Sequence, residues 1–227
     1  PADVAAKAKL IVLNYPNNPT GALADRPFLE ESVRFAARHG IALLHDFAYG
    51  AFGFDGRRPI SLMQIEGGKE VGIETYTLSK TYNMAGWRLG IAVGNASLIR
   101  AYRHLHSHAY STIFGAIQDA AAAALTGPQD CVEELRRLYE RRRDVLVEGL
   151  RSAGWDVRPP QGTFFAWFRV PEGYTSRSFT DELLEKADIV VAPGEGFGTN
   201  GAQYVRVNLL NSEARIREAV ESVKRSG

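Results

Sequence analysis

The residues best suited to chemistry lie after short apolar segments of the chain. Asp46 ends the segment IALLHD, and Tyr49 follows it three residues later. Lys80 and Arg88 lie eight residues apart in the stretch TLSKTYNMAGWRLG, which begins at Thr77. A lysine amine can attack a carbonyl, an arginine can bind an anion with its planar fork, and a carboxylate at a strand end needs a positively charged partner. These residues predict a site for a small ligand with an aldehyde, an anion and a ring cation.

Two more residues belong to the same constellation. Asn18 lies in the turn sequence YPNNPTG, where its side-chain amide can donate a hydrogen bond, and Arg206 lies far downstream in YVRVNLL. Taken singly, Asp46 would be a helix cap, Lys80 a surface residue and Arg88 a salt-bridge partner. Their combination instead favours pyridoxal 5'-phosphate, because that cofactor carries an aldehyde, a phosphate and a ring nitrogen that can be protonated.

An α/β architecture with a mostly parallel sheet flanked by helices is the fold predicted to position these residues. Residues 9–16 form a strand-length apolar run, and residues 41–46 form the next one. Between them, Asp25 and Pro27 predict a helix start and Gly40 predicts its end. Strand, helix and strand in succession favour parallel pairing, and the carboxyl ends of such strands line one crevice. Two further candidate strands cover residues 73–80 and 87–95.

The second half of the chain has a different character. Helical patterns run to residue 153, and the arginine run RRLYERRRD in the last of these helices is typical of a solvated face or a subunit rim. Extended segments then alternate with helices, and the extended ones cover 155–159, 163–170, 188–193 and 204–210. This order predicts three parts, which are the C-terminal part of a larger α/β domain (1–127), a long connecting helix (128–153) and a small α+β domain (154–227).

Composition limits the classes of partner. The 27 basic and 26 acidic residues leave a formal charge of +1, which gives no electrostatic case for nucleic acid or an anionic membrane. No apolar run approaches the roughly 20 residues that span a bilayer. The single cysteine, Cys131, cannot form an internal disulfide. We therefore expect no nucleic-acid or membrane partner and a reducing, cytoplasmic setting.

Two motif-like patterns carry no functional prediction. The spelling G-x-G-x-x-G at 196–201 precedes a strand pattern, whereas a dinucleotide site needs a helix there. His104, His106 and His108 lie in a helical pattern, which would place only the first and third on one face. Neither a nicotinamide site nor a metal site is predicted.

The separated motifs resemble those of the class I/II aminotransferases of pyridoxal-phosphate fold type I, the aspartate aminotransferase-like superfamily. The family's NPTG matches residues 18–21, its D-x-x-Y matches 46–49, and its SK followed by arginine eight residues later matches 79–88. The sequence PGEGFG at 193–198 is also similar to the family. The resemblance implies part of the family's large cofactor-binding domain, followed by its smaller C-terminal domain.

The resemblance also implies roles around the cofactor's ring. Lys80 would bind the aldehyde and then move a proton between the substrate's alpha carbon and the cofactor's C4' atom. Asp46 would pair with the pyridine nitrogen, and Tyr49 and Asn18 would hydrogen-bond the phenolate oxygen.

Anion binding is implied at two further places. Arg88 and Thr77 would hold the cofactor's phosphate. Arg206, with Asn18 beside it, would bind the substrate's alpha-carboxylate.

The activity implied by the resemblance is transfer of an amino group between an L-amino acid and a 2-oxo acid, in a ping-pong pair of half-reactions performed by a homodimer. The wording of residues 45–56 and 79–90 is similar to a bacterial branch that includes alanine/glutamate, diaminopimelate and methionine-salvage aminotransferases. Family chains carry a long portion before the NPTG strand, so this chain is expected to be a C-terminal piece. It would lack part of the phosphate grip and the aromatic residue that stacks on the ring.

Two other functions stay open at this stage. One is C–S beta-elimination on the same cofactor, which would release pyruvate without a 2-oxo acid acceptor. The other is a non-catalytic fragment that retains the fold.

Overall fold

The computed structural model describes residues 1–110 and 112–226 and divides into two compact units. The first unit contains residues 1–16, 23–53 and 57–134, and the second contains 17–22, 54–56 and the chain from 135 onward. The helices are α1 (Ala2–Lys7), α2 (Arg26–His39), α3 (Gly68–Val71), α4 (Leu78–Thr81), α5 (Ala96–Ala109), α6 (Gly115–Thr126), α7 (Asp130–Ser152), α8 (Ser176–Ala187) and α9 (Glu213–Ser226). The strands are β1 (Leu10–Asn14), β2 (Ala42–Asp46), β3 (Gly72–Thr77), β4 (Gly90–Gly94), β5 (Phe165–Arg169), β6 (Ala192–Pro193) and β7 (Tyr204–Asn208).

The sheet of the first unit has the strand order β1-β2-β3-β4. β1, β2 and β3 are parallel, and β4 pairs with β3 in the antiparallel sense. The predicted α/β class with a mostly parallel sheet is confirmed. Because β4 runs the other way, its amino end lies at the same edge of the sheet as the carboxyl ends of the other three strands.

Helix α2 begins and ends where its sequence signals predict. The Asp25 side chain accepts a hydrogen bond from the backbone N–H of Phe28 at 2.9 Å, and Pro27 lies in the first turn. Gly40 ends the helix with a φ of 63°, a left-handed conformation that a residue without Cβ adopts at little cost. The apolar stripe of α2 packs into the core beside β2, through Leu29, Val33 and Ala36.

Replacing Asp25 by alanine is expected to lower the free energy of unfolding of the chain by about 1 kcal/mol, because the N–H of Phe28 loses its acceptor. Asp25→Ser keeps a capping oxygen and is expected to retain most of that stability. Urea denaturation of the two variants beside the parent chain measures the difference, and equal losses in both would contradict the capping role.

The two faces of this sheet are not equally buried. Leu43 and His45 of β2 are fully buried on the face that carries α2. On the opposite face, Leu10 and Val12 of β1 keep 52% and 59% of their surface exposed. The alternation of the pleat therefore leaves an apolar strip of β1 in contact with solvent.

The second unit contains an antiparallel sheet with the strand order β5-β7-β6. Its buried apolar side chains come from the sheet and from α7, α8 and α9, and include Leu146, Val147, Leu150, Phe168, Phe179, Leu183, Val205, Ile216 and Val220. Helix α8 lies between the extended segments predicted at 163–170 and 188–193, as the predicted alternation of extended segments and helices implies. Residues 155–159 form no strand, because the segment runs into two prolines, and only two residues of 188–193 pair as β6. The domain boundaries predicted at 127 and 153 stay predictions.

The arginine run of α7 was predicted to form a solvated face or a subunit rim, and for Arg143, which is buried within the second unit, this is wrong. Its side chain is only 5% exposed and donates to both carboxylate oxygens of Asp55 at 2.7 and 2.8 Å, and to Asp144 at 2.8 Å. Its guanidinium also lies over the ring of Phe54. Burial opposes the charge, but hydrogen bonding to Asp55 and the charge of Asp144 outweigh burial and raise the pKa of Arg143. This pairing ties residues 54–56 to the second unit.

Within the described ranges, the helices are all too short or too polar to cross a bilayer. The same residues contain no cluster of three or more histidine, cysteine or acidic side chains able to hold a metal ion. His104 and His108 share a face of α5 with their ring centroids 4.6 Å apart, as the helical pattern predicts.

Candidate active site

The predicted residues of the first unit gather at one edge of its sheet. Asp46 is the last residue of β2 and Thr77 the last of β3, and the register pairs Asp46 with Thr75. At the end of β1, the Asn14 side-chain amide donates to the backbone carbonyl of Asp46 at 3.1 Å. The ends of the three parallel strands are thus joined beside Asp46.

The side chain of Asp46 is a half-buried carboxylate at the end of β2. Its Oδ1 accepts from the backbone N–H of Ala48 at 3.1 Å, which fixes the turn after β2. Across residues 1–110 and 112–226, no lysine, arginine or histidine side chain pairs with this carboxylate. Tyr49 lies in the same turn and is buried. The turn therefore holds a carboxylate and a phenol at the carboxyl end of β2.

Lys80 lies on α4, a single helical turn that begins directly after β3. The strand predicted at residues 73–80 is wrong at its carboxyl end, because β3 ends at Thr77. There the Thr77 hydroxyl oxygen accepts from the N–H of Ser79 at 3.1 Å and caps the turn. Thr81 shares a 2.6 Å hydrogen bond with the hydroxyl of Tyr76, whose pKa burial raises. Lys80 is half-buried and lies in this turn between the Thr77 cap and the hydrogen bond from Thr81 to Tyr76 of β3.

Arg88 lies at the end of the loop between β3 and β4, which returns to the sheet edge where Asp46 and Thr77 lie. It follows the tight turn 85–87 with a φ of 54°, and its guanidinium donates to the carbonyl of Ala85 at 3.1 Å. The next carbonyl, that of Leu89, accepts from the hydroxyl of Thr77 at 3.3 Å. Because Thr77 pairs with Gly90 in the antiparallel register, the loop returns Arg88 beside the residue at which it began.

Asn18 and Arg206 lie together in the second unit. Arg206 Nη1 donates to Asn18 Oδ1 at 3.0 Å. The guanidinium carbon lies 4.2 Å from the ring centroid of Phe165 and 4.7 Å from that of Phe197. These distances are within the range of cation–π contacts. Asn18 and Arg206 were predicted from the sequence, but the two phenylalanines were not. Phe165 falls in the predicted strand 163–170 and Phe197 in the motif PGEGFG, and neither pattern marks a contact with an arginine.

The NPTG turn that contains Asn18 is stabilised by hydrogen bonds of Asn17 and by the backbone conformation of Gly21. The side-chain oxygen of Asn17 accepts from the N–H of Thr20 at 3.1 Å and from its hydroxyl at 2.7 Å. Gly21 has a φ of 69°, and a Cβ there would overlap the Cβ of Pro160. Glycine is therefore required at this position both by backbone conformation and by space.

A buried polar network that the sequence analysis missed lies one residue from Asp46. His45 Nδ1 is 2.9 Å from Glu74 Oε2, and His45 Nε2 donates to the carbonyl of Tyr15 at 3.1 Å. Glu74 also accepts from the Ser61 hydroxyl at 2.7 Å and from the Leu62 N–H at 2.6 Å. The network joins β2 and β3 to the residue that follows β1, and it lies on the face opposite Asp46, since successive side chains of a strand alternate.

Comparison with known proteins identifies the class. The family model described as aminotransferase class I and II matches residues 2–223. The chain belongs to the class I and II aminotransferase family, whose members use pyridoxal 5'-phosphate, so the recognition from the motifs is confirmed.

Particular relatives support the same class. The chain is 58% identical over 218 residues to the L-glutamine–4-(methylsulfanyl)-2-oxobutanoate aminotransferase of Bacillus subtilis, covering 96% of this chain and 55% of the relative. It is 49% identical to the LL-diaminopimelate aminotransferase of Moorella thermoacetica, covering 99% of this chain and 58% of the relative. The substrate-bound BacF structure from Bacillus subtilis matches with a TM-score of 0.95 at 45% identity, covering 99% of this chain and 57% of that chain. The chain thus spans a little more than half the length of these relatives.

Proposed function

We propose that this chain carries the catalytic lysine and cofactor-binding residues of a pyridoxal 5'-phosphate-dependent aminotransferase. Such an enzyme moves an amino group between an L-amino acid and a 2-oxo acid. The observation that carries the proposal is the edge of the first sheet, where Asp46, Thr77, Lys80 and Arg88 lie on joined strand ends and one returning loop.

The chemistry of these side chains fits the cofactor. The carboxylate of Asp46 has no cationic partner among the described residues, which suits a protonated ring nitrogen. Lys80 supplies an amine for the aldehyde, and the exposed guanidinium of Arg88 suits the phosphate. When bound, the cofactor supplies an electron sink that stabilises negative charge at the substrate's alpha carbon.

The side chains then have separate tasks. Lys80 Nζ would take the proton from the substrate's alpha carbon and deliver it to the cofactor's C4' atom. Asp46 would orient the ring through its nitrogen, and Tyr49 would donate to the ring oxygen. Thr77 would share the phosphate with Arg88, although its hydroxyl hydrogen is directed at the carbonyl of Leu89 and would have to turn.

The second unit would recognise the substrate. Arg206 would bind the alpha-carboxylate in bidentate fashion, and the bond from Arg206 to Asn18 would orient its guanidinium. Hydrogen bonding of Asn18 to the cofactor's ring oxygen stays a prediction.

The substrate classes are proposed from the relatives, and the assembly of the complete protein is proposed from the family resemblance. We infer that the substrates are of the classes in their names, either L-glutamine with 4-(methylsulfanyl)-2-oxobutanoate or LL-diaminopimelate. The complete protein is inferred to be a cytoplasmic homodimer, as the family resemblance implies. Assay of the complete gene product with each amino donor separates the two substrate classes. Pyruvate release without a 2-oxo acid would instead indicate beta-elimination.

Reductive labelling tests the cofactor assignment. This chain and the complete product of its gene are incubated with pyridoxal 5'-phosphate, reduced with borohydride and mapped by peptide mass. A pyridoxyl adduct confined to the peptide that contains Lys80 is expected in at least the complete product.

Two variants provide matched controls for the labelling. Lys80→Arg is expected to remove the adduct. Lys69→Arg, at an exposed lysine of α3, is expected to leave it in place. Adducts scattered over several lysines, or no adduct in either protein, would overturn the proposal.

A further inference from the structure

Phe197 is held against Arg206 by a tight loop of the second unit. Residues Gly194–Phe197 and Thr199–Gly201 form two successive short helical turns. A Cβ added to Gly194 would overlap the carbonyl oxygen of Gly201, and one added to Gly201 would overlap the carbonyl oxygen of Gly194. The two turns can therefore approach this closely only with glycine at both positions.

Further contacts fix the direction of the Phe197 ring. Trp167 of β5 meets this ring edge to face, with centroids 5.7 Å apart, and is itself stacked on Tyr204 at 5.3 Å. Beside Phe197 in the first turn, Glu195 pairs with Arg177 of α8 at 3.0 Å. The ring of Phe197 is thus contacted by Trp167, which is in turn stacked on Tyr204, and the turn that carries Phe197 is anchored to α8.

The motif PGEGFGTNG now has a physical explanation. Its spelling G-x-G-x-x-G is unrelated to dinucleotide binding, because the two short turns lead into β7 and no helix follows. Its glycines instead allow a compact loop whose aromatic residue lies 4.7 Å from the guanidinium carbon of Arg206. Phe197 remains 41% exposed, so this contact lies at the surface of the unit, where a small molecule can reach it.

We propose that Phe197 is a positioning residue for substrate recognition, and that with Phe165 it holds the guanidinium of Arg206 in the orientation that binds a carboxylate. The inference rests on the proposed function, in which Arg206 binds the substrate's alpha-carboxylate. Bidentate binding needs a guanidinium with a defined plane, since both N–H···O bonds lie in that plane. Contact with two rings and with Asn18 restricts the rotation of the guanidinium before substrate arrives, so less entropy is lost on binding.

The test is a set of variants of the complete gene product, assayed with an amino acid substrate. Phe197→Leu removes the ring and is expected to raise KM about tenfold while changing kcat less than about twofold, since cation–π contacts have this magnitude. Phe197→Tyr keeps the ring and is expected to hold KM within about threefold of the parent. Phe28→Leu is the matched control, because it makes the same substitution at an equally exposed phenylalanine of α2, and it is expected to leave KM unchanged.

A second substrate and a double variant separate positioning from general damage to the fold. With the corresponding amine, which lacks the alpha-carboxylate, Phe197→Leu is expected to match the parent. In an Arg206→Lys background, Phe197→Leu is expected to change KM less than about twofold. The reason is that the contact between the Phe197 ring and the Arg206 guanidinium is already lost there. Pyridoxyl labelling of Lys80 in every variant checks that the cofactor site has folded.

The variants distinguish failure of the proposed carboxylate role of Arg206 from failure of the positioning role of Phe197. If Arg206→Lys leaves KM unchanged, the proposed carboxylate role of Arg206 is wrong. If Arg206→Lys raises KM and Phe197→Leu does not, the proposed function stands and the positioning role of Phe197 is overturned. Two other outcomes would also overturn the positioning role. One is an equal rise in KM for the amino acid and for the amine in Phe197→Leu. The other is loss of Lys80 labelling in Phe197→Leu together with a rise of about tenfold in KM in Phe197→Tyr.

Discussion

Replacing Lys80 by arginine is expected to lower kcat for transamination by about 10⁴-fold or more in the complete gene product, because in the proposed function this one side chain both binds the cofactor and moves the proton. Arginine keeps the positive charge, but its guanidinium stays protonated near neutral pH and can serve neither as nucleophile nor as base. The measurement is the rate of 2-oxo acid formation from the amino donor under saturating cofactor.

The control for this loss is Lys69→Arg, which makes the same substitution at an exposed position of α3 and is expected to keep full activity. A Lys80→Arg enzyme within about tenfold of the parent rate would contradict the catalytic role, since acid–base catalysis alone contributes more than that. A large loss in both variants would show that the effect comes from the fold and not from the Lys80 amine.

Replacing His45 by leucine is expected to lower the free energy of unfolding by about 3–5 kcal/mol, because it strands the carboxylate of Glu74 in the core. The side chain of His45 is 0% exposed and that of Glu74 is 7% exposed. The hydroxyl of Ser61 and the N–H of Leu62 would remain as neutral donors to Glu74, but the ring that bonds it at 2.9 Å would be gone. The carbonyl of Tyr15 would also lose its donor.

A double-mutant cycle distinguishes coupling from simple loss of volume. Glu74→Leu alone is expected to cost a similar amount, while the double variant is expected to cost clearly less than the sum of the two single losses. Urea denaturation of the chain supplies the free energies. Glu218→Gln, which breaks the exposed Arg215–Glu218 pair, is the control and is expected to change stability by less than about 1 kcal/mol. Additive losses at His45 and Glu74 would show that the two side chains do not act as a pair.

Much of the fold was predictable because its signals are local. The cap at Asp25, the left-handed Gly40 and the apolar periodicity between them define α2 within one stretch of chain. The strand–helix–strand order that follows leaves parallel pairing of β1 and β2 as the favoured arrangement. Where a local signal was ambiguous the prediction failed, as at residues 78–80, whose apolar and polar alternation suits a strand but whose backbone turns at the Thr77 cap.

Contacts between distant residues were beyond the sequence analysis. Arg143 looks like its solvated neighbours in α7, and only its pairing with Asp55, which is 88 positions away, explains its burial. His45 and Glu74 are separated by 29 positions, and no periodicity marks either as half of a pair. Phe165 and Phe197 are ordinary apolar residues in the sequence and become contacts of Arg206 only when β5, β7 and the loop before β7 fold together.

The class of this protein was recognisable from the sequence alone, because NPTG, D-x-x-Y and SK with an arginine eight residues later resemble the family's motifs. The candidate chemistry followed from the amine of Lys80, the guanidinium of Arg88 and the carboxylate of Asp46. What holds these residues in place is visible only in the tertiary structure. Asp46 and Thr77 lie close because parallel strands end at one edge, Arg88 returns beside Thr77 because β4 pairs in the antiparallel sense, and Arg206 meets Phe197 because glycines let two turns touch. Such contacts depend on backbone direction and close packing between segments far apart in the chain, and neither is written into any single stretch of residues.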